Sequence, residues 1–198
     1  MKKIVAIIWA LVLIIGAYAD PVGDKALADL SQQIKDLGHY EADITINAGG
    51  DKLSGHYRVS GSNYHIDMGS VEFWGDENRR YEVSHKIEEI VISDPSKDNN
   101  TLLGNPSEAF DFINKGFDVV SQGHEIVLTP TPETTGIDID SIIIRVGENN
   151  LPAQIIYKAD SDTIDITLSN IKSVKTQFQQ IELSKYRKYD VVELSPSR

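Results

Sequence analysis

The side chains best suited to moving protons or holding a metal near neutral pH are five histidines, His39, His56, His65, His85 and His124. Their spacing supports neither task. No two lie one helical turn apart, and none stands in a zinc-ligand pattern. Asp160, Asp162 and Asp165 gather around one turn, where carboxylates could hold calcium weakly, but the run lacks the turning glycine and closing glutamate of a calcium loop. A solvated turn explains it better. The chain has no cysteine, which rules out disulfides, thiolate metal sites and thiol nucleophiles together. It also has no G-x-S-x-G elbow, no phosphate-binding loop and no dinucleotide fingerprint. The reading is of no enzyme, no cofactor and no metal, and it moves attention to the apolar side chains.

Those are organised around Leu53 to Ser93. Apolar and polar residues alternate through Tyr57 and Val59, Tyr64, Ile66 and Met68, Tyr81 and Val83, and Ile90 and Ile92. A period of two over runs this short predicts half-buried strands in an antiparallel meander with one apolar face. A two-residue loop at Gly61-Ser62 pairs Val59 with Tyr64 and Tyr57 with Ile66, and on the other face Arg58 with His65 and His56 with Asp67. Glycine at the first central position suits a type II′ turn. In the next hairpin Trp74 is expected to face Tyr81. His56 and His65 then serve cross-strand polar pairing.

The flanking elements supply cover for such a face. Leu27, Leu30, Ile34 and Leu37 form one helical stripe, with Asp24 as the expected cap and Gly38 as the stop. Tyr40 to Asn47 alternates as a strand, and Gly49-Gly50 turns into the meander. Asn105-Pro106-Ser107-Glu108 is a helix start; the short helix it opens carries Phe110, Phe112 and Ile113, stops at Gly116, and acts as a static plug or a movable lid. Phe117 to Val120 and Glu125 to Leu128 form a hairpin. The run Ile142-Ile143-Ile144 predicts burial on both sides. Ala153 to Lys158, Ile164 to Leu168 (with Ile164, Ile166 and Leu168 on one side), Gln179 to Leu183 and Tyr189 to Leu194 read as the remaining strands. The expected fold is mainly β with α (α+β): about eleven antiparallel strands curling into an incomplete barrel, plugged by helices, with room for an apolar ligand.

The first residues specify the compartment. Lys2 and Lys3 precede an apolar run from Ile4 to Ile15, and Ala17-Tyr18-Ala19 forms an A-x-A site. This predicts a signal peptide over residues 1–19 cleaved after Ala19, and a single exported domain over 20–198. The run is shorter than the roughly 20 residues that span a bilayer. Net charge is −11, and loss of Lys2 and Lys3 takes it to −13. Such a chain has no electrostatic footprint for nucleic acid or for an anionic membrane surface.

The series of elements resembles the LolA-like lipoprotein carriers of the Gram-negative periplasm. The matching features are the helix and strand from Leu27 to Ile46, Gly55 with the Tyr57–Val59 strand, Trp74-Gly75-Asp76 before Tyr81, and Glu89 to Ile92. They continue through the Asn105-Pro106 helix, Phe117 to Val119, Glu125 to Pro130, Leu151-Pro152, Ile164 to Leu168 and a final pair within Phe178 to Leu194. The resemblance implies an unclosed barrel with a helical lid. It also implies a monomeric periplasmic carrier that shields lipoprotein acyl chains, taking them from an inner-membrane releasing transporter to an outer-membrane acceptor. Candidate cavity residues are then Tyr57, Val59, Tyr64, Ile66, Trp74, Tyr81, Val83, Ile90, Ile92, Ile164, Ile166 and Leu168. Candidate lid residues are Leu27, Leu30, Ile34, Phe110, Phe112 and Ile113. Two places depart from the family: Gly61-Ser62 stands where members often carry Arg-Pro, and Asp76-Glu77 where an Asp-Gly turn is usual, so the lid latch is not carried over. A periplasmic module that senses lipid or protein on the same fold is the alternative reading.

Overall fold

The computed structural model describes residues 21–76, 78–94, 116–132, 134, 139–160, 162–175 and 180–194. The expected signal peptide with Ala19, and the expected helix with Phe110, Phe112 and Ile113, lie outside the described residues.

One helix, α1 (Pro21–Leu37), precedes the strands. It is described from Pro21 rather than from the expected cap at Asp24, which sits in the first turn instead. Gly38 ends it as expected, at φ +65°. The strands are β1 (His39–Ala48), β2 (Asp51–Ser60), β3 (Asn63–Asp67), β4 (Val71–Gly75), β5 (Arg80–Ser84), β6 (Glu89–Ser93), β7 (Phe117–Gln122), β8 (Glu125–Pro130), β9 (Ser141–Val146), β10 (Pro152–Ala159), β11 (Asp162–Ser173) and β12 (Asp190–Glu193). All twelve share one sheet in the order β12-β6-β5-β4-β3-β2-β1-β11-β10-β9-β8-β7, with β7 and β12 as its two open edges. Every pairing is antiparallel except β12 beside β6. The sheet is not closed and carries a helix, which matches the expected incomplete barrel, with twelve strands where about eleven were expected.

The β2–β3 hairpin has the expected register, with Tyr57 opposite Ile66, Val59 opposite Tyr64, and Arg58 opposite His65. Gly61 alone of the two loop residues is left-handed, at φ +62°, as a type II′ turn requires. Trp74 faces Tyr81.

The inner face of the sheet is the main core. Tyr40, Ala42, Ile44 and Ile46 of β1 continue through Tyr57, Val59, Tyr64 and Ile66 on one side. On the other side they continue through Ile166, Leu168, Ile155, Tyr157, Ile142, Ile144, Ile126, Leu128 and Val119. Helix α1 lies across this face and buries Leu27 and Leu30 completely, with Ile34 and Leu37 packed at its far end. Gly23 approaches the β7 backbone so closely that a Cβ there would stand 2.4 Å from the Val119 carbonyl oxygen. Gly38 links the other end directly to β1. Seventeen helical residues reach about 25 Å, and the five strand spacings from β7 to β1 come to about 24 Å. The helix is therefore cut to the width of the half-sheet it crosses, and is tied down at both ends.

Three sequence expectations need correction. Ile142 and Ile144 are buried, but Ile143 is only half-buried, between Val127 and Ile156 on the outer face. The run is an alternating strand whose outer residues happen to be apolar. The final strand pair is absent among the described residues: residues 180–182 are irregular, Leu183–Tyr186 is a 3₁₀ turn, and only β12 joins the sheet, in parallel. The meander's apolar residues do not share one face. Ile66 pairs with Phe73, whereas His65 pairs with Trp74 and Trp74 with Tyr81. Trp74, Tyr81, Val83, Ile90 and Ile92 consequently stand on the outer face, where they pack with Ile181, Tyr186 and Tyr189 of the C-terminal strap (residues 180–194).

Candidate functional site

Two apolar surfaces compete for the functional role. Of the candidate cavity residues, Tyr57, Val59, Tyr64, Ile66, Ile166 and Leu168 meet on the inner face and are at most 6% exposed, while Ile164 belongs to that face but stands 40% exposed at its end. Trp74, Tyr81, Val83, Ile90 and Ile92 belong to the other cluster and cannot line the same space. Among the candidate lid residues, Leu27, Leu30 and Ile34 pack against the inner cluster.

From β7 to β3 the core of the inner face is apolar but for a few phenols. The Tyr40 and Tyr57 hydroxyls are 3.4 Å apart within it. Burial pushes the Tyr40 phenol up to about 12 and Tyr57 well above its ordinary range, so both stay neutral. The space between the end of α1 and the sheet, lined by Ile34, Leu37, Tyr57 and Leu168 among others, is only about 10 Å³. Here the helix fills the ground an apolar ligand would occupy.

The outer face at β3–β6 carries a polar centre that the sequence reading missed. Glu72 of β4 accepts hydrogen bonds from His65 Nε2 (2.9 Å), Trp74 Nε1 (2.9 Å) and His85 Nε2 (2.7 Å), with the Tyr186 hydroxyl at 3.2 Å. His65 stacks on Trp74 with 3.6 Å between centroids. The other ring nitrogen of His85, Nδ1, lies 2.8 Å from the Tyr189 hydroxyl. The His65 hydrogen bond, with help from Trp74 and His85, lowers the Glu72 carboxyl to about 2 against burial's opposite pull. Four donors fill a carboxylate's acceptor capacity, so the group has none to spare for a reacting molecule. It is a buckle that fastens the strap to the sheet. Beside it a groove of about 290 Å³ runs between Arg58, His65 and Trp74 on the sheet and Gln180, Glu182, Lys185 and Tyr186 on the strap. Consistent placement of His65 and Glu72 on one face was readable from hairpin parity, but the adjacent Phe73 and Trp74 hid which aromatic faced inward.

His56, expected opposite Asp67, does pair with it in register, and its ring bonds Asp43 of β1 at 3.1 Å. Asp165 accepts both contacts from Gln154 Nε2, at 2.9 and 2.8 Å, as a cross-strand partner.

No family model matches the chain, and no curated protein does. Among solved structures, an uncharacterized conserved protein from Thermus thermophilus is similar at a TM-score of 0.50 and 10% identity, over 83% of this chain and 99% of that one. LolA superfamily protein NE2245 from Nitrosomonas europaea follows at 0.45 and 10%, over 78% and 94%. The Mycobacterium tuberculosis lipoprotein LppX stands at 0.44 and 13%, over 79% and 98%. Identities this low speak to fold alone. Within the described residues, the strand series expected from the sequence is present in its expected order up to β11, ahead of a strap in place of the final pair.

Proposed function

We propose that this chain is an exported periplasmic carrier that holds the acyl chains of lipoproteins against the inner face of its open sheet during transfer to the outer membrane. In this reading residues 20–198 are one carrier domain released by cleavage after Ala19. An inner-membrane transporter loads it and an outer-membrane acceptor unloads it, and the carrier itself works as a monomer. The observation that carries the proposal is the continuous apolar inner face, from Tyr64 on β3 to Val119 on β7, on a sheet whose ends do not close.

The energetics suit a carrier. Each buried methylene contributes about 0.8 kcal/mol, so a free acyl chain would otherwise partition into the nearest membrane. Here the protein's own apolar side chains already occupy that face, and an incoming chain replaces them rather than filling an empty hole. The net gain is then smaller than full burial, which permits release. No bond is made or broken. Helix α1, tied at Gly23 and Gly38, is the fixed wall over β7–β1. The β2–β4 half, with Tyr57, Val59, Tyr64 and Ile66, is the surface that receives the chain.

Purified mature protein should bind a fluorescent acyl probe and accept lipoprotein released from inner-membrane vesicles. Failure in both assays removes the proposal. Probe binding together with a specific protein partner and no lipoprotein release favours the sensing module instead.

A further inference from the structure

The inner face changes character at its β4–β6 end. Val71 and Phe73 of β4 are only half-buried, and Val91 of β6 lies in the row of Phe73 beyond the exposed Glu82 of β5. On this shelf stands one arginine, Arg80 of β5. It pairs across the strands with Gly75, and Gly75 in turn with Tyr64. Gly75 has no side chain because the Tyr64 ring lies on it; a Cβ there would stand 2.3 Å from the ring. The row Tyr64–Gly75–Arg80 thus runs from the buried core to the shelf.

Arg80 is oddly provided for. Its Nε is buried and has no hydrogen-bond partner. Among the described residues it makes no ion pair, although Glu82 stands two positions along on the same face. Its guanidinium lies over the Phe73 ring instead, 5.1 Å from the centroid, turned toward β4 and the core. A buried guanidinium N–H without an acceptor costs more than a neutral donor would. A guanidinium's fork of donors matches a carboxylate or phosphate, and its cation–π contact keeps it pointing inward.

We propose that Arg80 is the head-group anchor of the inner face, and that the shelf takes an acyl chain ending in an anionic group, a carboxylate or a phosphate. This rests on the acyl-binding reading above. The chain lies along Phe73, Tyr64 and Ile66, while the acidic head meets the Arg80 guanidinium, whose Nε the protein leaves unpaired. The Tyr64 hydroxyl lies within electrostatic range of the same guanidinium.

Displacement of a fluorescent acyl probe from the full mature protein tests it. Four competitors of equal chain length are compared: hexadecanoate, 1-palmitoylglycerol-3-phosphate, neutral 1-monopalmitoylglycerol and hexadecylamine. The two anions should compete about tenfold better than the neutral ester, and the amine worst of all. The carboxylate and phosphate arms identify which head is preferred. Arg80→Gln should abolish the anion preference while the neutral ester still competes, and Arg80→Lys should retain part of it. Equal competition by all four ligands in the wild-type protein overturns the anchor yet leaves acyl binding intact. That comparison needs no variant to fold. A probe that does not bind at all defeats the acyl-binding reading, and the anchor with it.

Discussion

The same sheet buries apolar side chains on both of its faces, and it does so by different means. On the inner face, from β7 to β3, cohesion comes from area: Ile66, Ile142, Ile144 and Leu128 are fully enclosed beside a helix stripe. On the outer face at β4–β6, Val83, Ile90 and Ile92 form a smaller cluster whose cover, the strap, is held by the β12–β6 pairing and by hydrogen bonds that converge on one carboxylate. Area is tolerant of what supplies it, so a helix or an acyl chain can serve. A carboxylate with four directed donors is not tolerant, because a lost partner leaves a buried group unsatisfied. The first surface suits exchange of partners, and the second suits permanence.

The comparison breaks most visibly on the inner side. Ile144→Ala leaves a cavity at a site with no exposure, and should lower stability by about 2–5 kcal/mol. Urea denaturation reads it as a lower midpoint at unchanged slope. A loss under about 1 kcal/mol would mean that the inner face is loosely packed and already yields.

Glu72→Gln is the matching cut on the outer side, expected at about 2–3 kcal/mol because a neutral amide accepts with one oxygen and turns an NH₂ toward a donor. With the signal removed, Trp74 is the single tryptophan of the chain, Trp9 having left with it. Its emission should shift red, and the strap should become open to proteolysis, while the acyl probe binds as before. Equal loss of probe binding would show that the two faces are not independent.

Acid titration separates the faces without a mutation. The folded Glu72 carboxyl sits at about 2 against an ordinary 4.5. A depressed carboxyl stabilises fully above its unfolded value and loses that contribution as pH falls through the folded one. The strap should therefore loosen between about pH 4.5 and 2, by on the order of 2 kcal/mol, followed by Trp74 emission. Among the described residues the inner face has no depressed carboxyl at its centre, and it should hold its probe until global unfolding. Glu72→Gln should erase the Trp74 transition; its persistence would assign the transition to another group.

These two regions were unequally legible in the sequence. The inner face follows from local rules: Gly61-Ser62 sets a hairpin whose parity places Tyr57 with Ile66, and Leu27, Leu30, Ile34 and Leu37 announce a helix that needs such a face. The outer cluster depends on contacts distant in the chain. His85 meets Tyr189 across 104 positions, and β12 joins β6 in parallel without any turn to signal it. Residues 180–194 show no period, since a strap that dips into a cluster at Ile181, Tyr186 and Tyr189 obeys the cluster's spacing and not that of a helix or strand. The adjacent Phe73 and Trp74 made β4 look one-sided, when it contributes to both faces. Arg80 was equally invisible, because a charge on a short strand is ordinarily solvated, and only its missing partner marks it out.

The smallest effect is expected where both faces originate. The β2–β3 hairpin sends Tyr57, Val59, Tyr64 and Ile66 inward and Arg58 and His65 outward, so a one-residue slip would exchange the two sets. Gly61 holds the turn at φ +62°, with open space where a Cβ would stand. Gly61→Ala therefore meets no clash and costs only the left-handed conformation, about 1 kcal/mol. The urea midpoint should fall slightly, with probe binding and Trp74 emission unchanged, because the cross-strand pairs on both faces still favour the native register. Should this one methyl disturb both readouts together, the turn and not the side-chain pairing would be what sets the register, and the division between an exchangeable face and a fastened one would rest on a single glycine.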